Sequence, residues 1–405
     1  MKICIYGISG VYNYGCEAMV RSISKQLNNA IENCEIVYMT PSIEDDTLML
    51  NDCETCEIRE IKVNANPLMK RAFRFLRRKL HLARTEDNLY IQTDWMKSCD
   101  VLVVIGGDVF DLSPNDTNKK EYKNERVYVS KLVKQYGGKV VLWGISVGNF
   151  DGNKHAKKQI VDYFKNIVDY SIIRDYKSYE YLKQNGINNI GMFSDPAFMQ
   201  RSIQTTNVKK RGLIGINLSL ISSARIDNSM SENDWVCHWA DVLINLLSET
   251  GFNKILLIPH VVNYAVMVDD DYHFLNKIFQ ILKEKNIDVA IVEGKPGFEG
   301  IKEKLAECDA IFSARMHCAI NSITCGVPTL FLSYSSKSIG MCRLVYGNEK
   351  WAVDIRQFSE GKAGDVIRDF ISDIDNTRKY LAKKNIELYE DACGAVNEVV
   401  KRVIC

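Results

Sequence analysis

An arginine, a histidine and a lysine pose the first chemical question. Arg315 and His317 stand two residues apart in Ser313-Ala314-Arg315-Met316-His317. Gly326-Val327-Pro328, an apolar run and Tyr334-Ser335-Ser336-Lys337 follow. On one regular helix, residues two apart would face different ways. At a strand-to-helix turn both can reach one cleft. Asp309–Ser313 reads as a strand and Ala319–Cys325 as the helix after it, which puts Arg315 and His317 at the strand's carboxyl end and the helix's first turn. Open α/β sheets take ligands at that edge, and the N–H groups of a helix start favour anions. Fixed cations there can hold a small anion, and an imidazole can pass it a proton near neutral pH. The plainer alternative is a solvated Arg315 and a packed, hydrogen-bonded His317.

The elements that must position these residues alternate along the chain. Strand-like runs at Ile3–Tyr6, Glu35–Met39, Val101–Ile105, Lys139–Trp143, Tyr170–Arg174 and Asn189–Phe193 are separated by helical patterns. The pattern breaks at Asp195-Pro196, and the polar stretch 204–211 reads as a linker. A second series then supplies strands at Leu213–Leu218, Lys254–Pro259, Val289–Val292, Ala310–Ser313 and Thr329–Ser333, and Val366–Val403 reads as an amphipathic helix able to pack on either half. This βαβ rhythm predicts an α/β protein with two doubly wound, Rossmann-like domains facing across a cleft. The expected division is 1–203, 211–365 and a helical segment at 366–405.

With 405 residues, two cores are the natural expectation. A net charge of +1 argues against a nucleic-acid partner and leaves room for a local basic site. The thirteen cysteines have no framework spacing; Cys53-x-x-Cys56 lacks a second pair, and Cys4, Cys308 and Cys325 sit in apolar runs. That usage points to a reducing cytoplasm. Met1–Gly7 reads as a strand rather than a secretory leader, and no run approaches the ~18 apolar residues of a membrane-spanning helix.

A set of motifs runs through both halves. Asn13-x-Gly15-x-Glu17-Ala18 lies in the first turn, followed by Gly106-Gly107, Trp143-Gly144-Ile145-Ser146-Val147-Gly148, Arg174-Asp175-x-x-Ser178 and Asp195-Pro196-Ala197. Arg315-x-His317, Gly326-x-Pro328 and Tyr334-x-x-Lys337 complete the order. Over roughly residues 3–347 this series resembles the polysaccharide pyruvyl transferase family. The resemblance implies a glycosyltransferase-B-like fold. It also implies transfer of the pyruvyl group of phosphoenolpyruvate to two sugar hydroxyls as a cyclic ketal, in cell-surface polysaccharide synthesis. Two departures fall in the N-terminal half, the expected acceptor side: Cys16 replaces an aspartate, and Asp108 follows the glycine pair where a third glycine is frequent.

The residue chemistry suits this donor. Phosphoenolpyruvate carries about three negative charges, and Arg174, Arg315 and Lys337 would answer them from the donor-binding side. His317 would be the general acid that protonates the enol methylene. The scheme calls for no metal and no further cofactor. Asn13, Glu17, Gly107 and Asp108 are candidates for the saccharide acceptor. Glu17 and Asp108 read equally as solvated loop residues, Gly106-Gly107 as a tight turn, Arg174-Asp175 as a local ion pair and Asp195-Pro196 as a structural turn. His260 could line the cleft or simply pack.

Residues 68–80 carry apolar side chains at Met69, Phe73, Leu76 and Leu80, with cations on the other face. Such a helix could lie on an anionic membrane surface, which would suit a lipid-linked acceptor, or pack on the core. Two other functions remain open: a glycosyltransferase with a nucleotide-sugar donor, and a non-catalytic carbohydrate- or anion-binding module.

Overall fold

The apolar runs assemble into two sheets whose strands are all parallel. The computed structural model describes residues 1–61, 94–107, 109–112, 122–200, 211–263 and 269–405. The first sheet holds β1 (Lys2–Tyr6), β2 (Glu35–Thr40), β3 (Glu57–Glu60), β4 (Val101–Ile105), β5 (Lys139–Ile145), β6 (Tyr170–Ile173) and β7 (Ile190–Met192), in the order β3-β2-β1-β4-β5-β6-β7. The second holds β8 (Leu213–Asn217), β9 (Lys254–Leu257), β10 (Val289–Ile291), β11 (Ala310–Ser313), β12 (Thr329–Ser333) and β13 (Ala352–Asp354), in the order β10-β9-β8-β11-β12-β13. In each, the order reverses beside the first strand of the series, between β1 and β4 and between β8 and β11. Ligands bind at such a switch point. The expected two-domain, doubly wound α/β architecture is what forms.

Period-two alternation distributes the core. Ile3, Ile5, Val101, Val103 and Ile105 face one side of the first sheet and pack with Met19, Val20 and Ile23 of the helix Tyr14–Ala30. Cys4, Tyr6, Leu102 and Val104 face the other, against Ile160, Tyr163 and Phe164 of the helix Lys154–Asn166. Both faces of a parallel sheet are thereby covered.

Two strands lie outside the expected set, and both are sheet edges. β3 reads Glu-Ile-Arg-Glu, with charges that blunt an exposed edge and erase the apolar signal; β13 has only three residues. The C-terminal helical pattern resolves into helices Gly364–Ser372 and Ile374–Val399. The longer one packs on both halves. Leu381 and Leu388 join the core of the second sheet, while Ala395, Val396 and Val399 join that of the first. Midway, the Asp391 carboxylate accepts from the Ser194 N–H and hydroxyl at 2.6 and 2.8 Å. The basic segment 68–80, Asp108 and most of the expected linker lie outside the described residues. No helix among the described residues is long and apolar enough to cross a membrane.

Candidate active site

The carboxyl ends of the two sheets face one cleft of about 550 Å³. From the first half it is lined by the glycine-rich turn after β1, by Gly106 and Gly107 after β4, and by Arg126 and Arg174. From the second half come His260, Asp269, Arg315, His317, Ser335, Lys337 and Ser338.

The turn after β1 reaches across the cleft. Asn13 caps the helix Tyr14–Ala30, its side chain accepting from the Gly15 N–H at 3.1 Å. On its other side Asn13 pairs antiparallel with Val261, the Tyr14 N–H bonds the His260 carbonyl at 3.1 Å, and the Val262 N–H bonds the Tyr12 carbonyl at 3.0 Å. The helix that starts here therefore delivers its first turn to the second domain. A Cβ on Gly15 would lie 2.1 Å from the His317 ring. The glycine is what lets the imidazole seat against the helix start.

His317 meets two partners from the opposite domain. Its Nε2 lies 3.1 Å from Arg174 Nη1 and 3.3 Å from Asp195 Oδ2. Arg174 Nη1 donates to the same Asp195 oxygen at 2.7 Å, and Arg174 Nε donates to Ser146 Oγ at 2.9 Å. Arg174 and Asp195 are fully buried. Burial alone would raise the Asp195 carboxyl's pKa, but the charges of His317 and Arg174 outweigh it and hold the group below the usual carboxylate range. Arg174 can donate to Nε2 only when that nitrogen is bare, whereas Asp195 can accept from it only when it is protonated. The two partners pull on one proton in opposite senses, which suits a residue that gives up and regains a proton. A Cβ on Gly107 would fall 2.0 Å from the Arg174 guanidinium, so Gly107 serves the close seating of this arginine.

Arg315 has a different setting. Its backbone N–H is fixed by Asn217 Oδ1 at 2.8 Å, at the end of β8. Its guanidinium bonds Asp271 at 2.7 and 3.2 Å and Asp269 at 2.9 Å. Asp271 also accepts from the N–H groups of His260 and Val261, both at 3.1 Å. The three consecutive aspartates divide the work: Asp270 caps the helix Asp271–Glu284, and its neighbours hold Arg315. Lys337, largely buried, rests 3.2 Å from the exposed Asp111.

The other sequence candidates divide. Asn13 and Gly107 line the cleft. Glu17 does not: it is buried, accepts from Arg21 Nε at 2.9 Å and from the Phe298 N–H of the second domain at 2.8 Å, and clamps the domains together. Asp175 caps the helix Tyr176–Gln184 through the Ser178 N–H, so Arg174 finds its carboxylate at Asp195 rather than next door. Asp195 does cap a short 3₁₀ turn at Pro196–Met199, yet its second oxygen carries the Arg174 and His317 contacts. Arg126 and Arg225, which no motif marked, add cations to the lining. Cys16, also in the lining, has its thiol pushed up to about 12 by burial, so it stays protonated. His260 both lines the cleft and packs, between the rings of Tyr14 and Phe298. Among the described residues, no three His, Cys, Asp or Glu side chains converge to hold a metal.

Known proteins place this geometry. The chain is 24% identical to the amylovoran biosynthesis protein AmsJ of Erwinia amylovora, over 89% of this chain and 90% of that one. Its fold resembles the S. aureus MnaA–UDP structure (TM-score 0.58, 8% identity, 100% of this chain and 96% of that one). It also resembles the UDP-GlcNAc 2-epimerase of Neisseria meningitidis (TM-score 0.57, 10% identity, 99% of this chain and 100% of that one). The family model for polysaccharide pyruvyl transferase matches residues 13–336. That span opens on the cap that seats His317 and takes in Arg174, Asp195 and Arg315; the chain belongs to the polysaccharide pyruvyl transferase family.

Proposed function

We propose that this protein transfers the pyruvyl group of phosphoenolpyruvate to two hydroxyls of a saccharide, forming a cyclic ketal during polysaccharide biosynthesis. The observation that carries the reading is the Arg174–Asp195–His317 constellation, assembled from both domains in a cleft lined by five cations: Arg126, Arg174, Arg225, Arg315 and Lys337. Such a lining suits a small, highly charged donor.

In the proposed reaction His317 gives a proton to the methylene carbon of the enol. The charge that develops on the neighbouring carbon is met by one acceptor hydroxyl, whose proton returns to the imidazole. The second hydroxyl then forms the second C–O bond as the bond to phosphate breaks. Of the two hydroxyl protons, one ends on the new methyl group and the other on phosphate. Arg174 holds the imidazole against Asp195, and the cationic walls bind and orient the donor. The turn after β1, with Asn13 and Gly107 nearby, faces the acceptor.

The test is release of phosphate from phosphoenolpyruvate in the presence of candidate saccharides, with nucleotide sugars as a parallel arm. Phosphate release that depends on the acceptor, with a ketal in the product, supports the reading. Consumption of a nucleotide sugar and none of phosphoenolpyruvate would replace it with glycosyl transfer.

A further inference from the structure

We propose that Cys53 and Cys56 form a reversible redox site, which hydroperoxides close to an intramolecular disulfide and a dithiol reopens. The pair lies in the turn between the helix Ile43–Met49 and β3, outside the cleft lining, so the inference stands apart from the pyruvyl-transfer reading.

A C-x-x-C spacing alone leaves open whether the two thiols meet, and the fold turns them together. Their sulfurs lie 3.9 Å apart, and both are free. Cys53 also has polar neighbours. Thr55 Oγ1 is 3.5 Å from its sulfur, and Ser24 Oγ, from the helix Tyr14–Ala30, is 4.0 Å away. The two hydroxyls bond each other at 2.6 Å, which ties the turn to that helix. Hydrogen bonds to a sulfur favour its thiolate. The Cys56 S–H, then the hydroxyl and N–H of Thr55 and the Ser24 hydroxyl, hold the Cys53 thiol down to about 5, against a partial burial that opposes them. The same pairing, with burial, pushes the Cys56 thiol up. One sulfur is thus equipped to attack and its neighbour to resolve.

Exposure separates this pair from the other cysteines. Cys53 and Cys56 are partly exposed, within reach of a small solute. Cys4 and Cys99 also hydrogen-bond each other, but they are 0% and 4% exposed. Burial pushes the Cys318 and Cys342 thiols up to about 12, where they stay protonated and inert. The turn reads Asp52-Cys53-Glu54-Thr55-Cys56-Glu57 with its three acids exposed, a setting that favours a neutral oxidant over an anionic one.

The chemistry balances with one hydroperoxide. The Cys53 thiolate attacks a peroxide oxygen, the O–O bond breaks, and the departing hydroxide takes up the proton that Cys53 gave up. The sulfenic acid so formed is attacked by the Cys56 sulfur. The S–O bond breaks, and hydroxide leaves with the Cys56 proton as a second water. Two thiols are oxidised to one disulfide, and the peroxide is reduced. A dithiol reverses the bridge by exchange through a mixed disulfide and is itself oxidised.

Hydrogen peroxide is the probe. The full chain, reduced and freed of reductant, is exposed to it for increasing times. Remaining thiols are blocked with N-ethylmaleimide, and each cysteine is read by peptide mass spectrometry, with the exposed Cys237 and Cys405 as internal references. In wild type, Cys53 and Cys56 should lose maleimide together, at a rate roughly tenfold or more above the references, in a peptide lighter by two hydrogens that dithiothreitol restores. Cys56→Ser should leave a sulfenic acid at Cys53 that dimedone traps, and Cys53→Ser should bring Cys56 down to the reference rate. The melting temperatures of both variants check that the fold is kept, and the wild-type measurement needs neither of them. Oxidation of Cys53 and Cys56 no faster than the references would overturn the site, as would oxidation to sulfinic acid with no bridge. A Cys56 that still reacts fast in Cys53→Ser would overturn the assignment of Cys53 as the attacking sulfur.

Discussion

Arg174 and Arg315 are interchangeable in a sequence reading, since each ends a strand beside a cleft, but the fold wires them differently. Arg174 spans the domain boundary, taking one carboxylate and one hydroxyl from its own half and touching an imidazole from the other. Arg315 is closed within its own domain by Asp269 and Asp271. The first cluster sets one arginine against one carboxylate and adds an imidazole. The second sets one arginine against two carboxylates, with no imidazole bonded to its guanidinium among the described residues. An arginine's value to an anionic substrate depends on which carboxylates it already serves, and in the proposed reaction that measure would set Arg174 with the chemistry and Arg315 chiefly with the wall.

The sharpest way to break this contrast is His317→Gln. The variant keeps hydrogen-bonding capacity but cannot donate a proton near neutrality. Turnover of phosphoenolpyruvate should fall by about two to four orders of magnitude, with the donor KM within a few-fold of wild type. A large rise in KM with turnover preserved at saturation would make His317 a clamp and leave the proton source elsewhere.

Stability should separate the two arginines next. Arg174→Met leaves the fully buried Asp195 with only the Ala197 N–H and His317, and about 3–5 kcal/mol is the usual loss when one partner of a buried pair is removed; adding Asp195→Asn should recover part of it. Arg315→Met should cost less, about 1–3 kcal/mol, because Asp271 keeps two backbone donors and Asp269 reaches water. Denaturant melts of the four proteins give the comparison. Equal losses for the two arginines would erase the distinction drawn from their partners.

Sequence reasoning placed both arginines at strand ends and found the carboxylate partners of neither, and the cause is physical. Strand ends and helix starts are local, so β1, β4, β11 and β12, and with them Asn13, Gly107, Arg315 and His317, are legible from apolar runs and glycines. Contacts across the domain boundary are not local. Asp195 is 21 positions from Arg174 and still further from His317, and Asp-Pro is also an ordinary turn; only its Oδ2 contacts show a second role. Glu17 looked like a loop carboxylate because its partner, the Phe298 N–H, lies 281 residues away. The run Asp269-Asp270-Asp271 was the available signal for Arg315's partners: three acids before a helix exceed what one cap needs. The charged edge strand β3 escaped because edge strands trade apolar pattern for protection.

A smaller effect tests the wall beside His317. His260 is fully buried with its Nδ1 unpartnered among the described residues. Burial first, then the nearby His317 and Arg315 charges, hold its pKa well below the ordinary value near 6.5. The folded state thus resists a proton that the unfolded state accepts. The stability that His260 contributes is complete above that ordinary value and is lost as pH falls below it, by up to about 1.4 kcal/mol per pH unit. His260→Gln should flatten the wild-type loss between pH 6.5 and 5 in denaturant melts. Parallel pH dependences would mean that His260 takes up its proton without unfolding.

The smallest expected change is at Glu17. Burial raises its carboxyl's pKa, moderated by the Phe298 N–H and Arg21. With the folded value above the unfolded one, its stabilising share is present below the unfolded value and lost as pH rises through the folded value, so at neutral pH the ionised group carries a burial cost. Glu17→Gln removes that cost together with the Arg21 pairing, while an amide oxygen can still accept from Phe298. Arg21 keeps its bonds to Asp52 and to the Met49 carbonyl. These changes oppose one another, and the net should stay within about 1 kcal/mol, as replacements of buried ion pairs by neutral groups frequently do. Because the side chain faces Phe298 and stands outside the cleft lining, the acceptor KM should stay within about twofold of wild type. An acceptor KM raised tenfold at unchanged stability would put the carboxylate on the saccharide and end its assignment as a clamp between the domains.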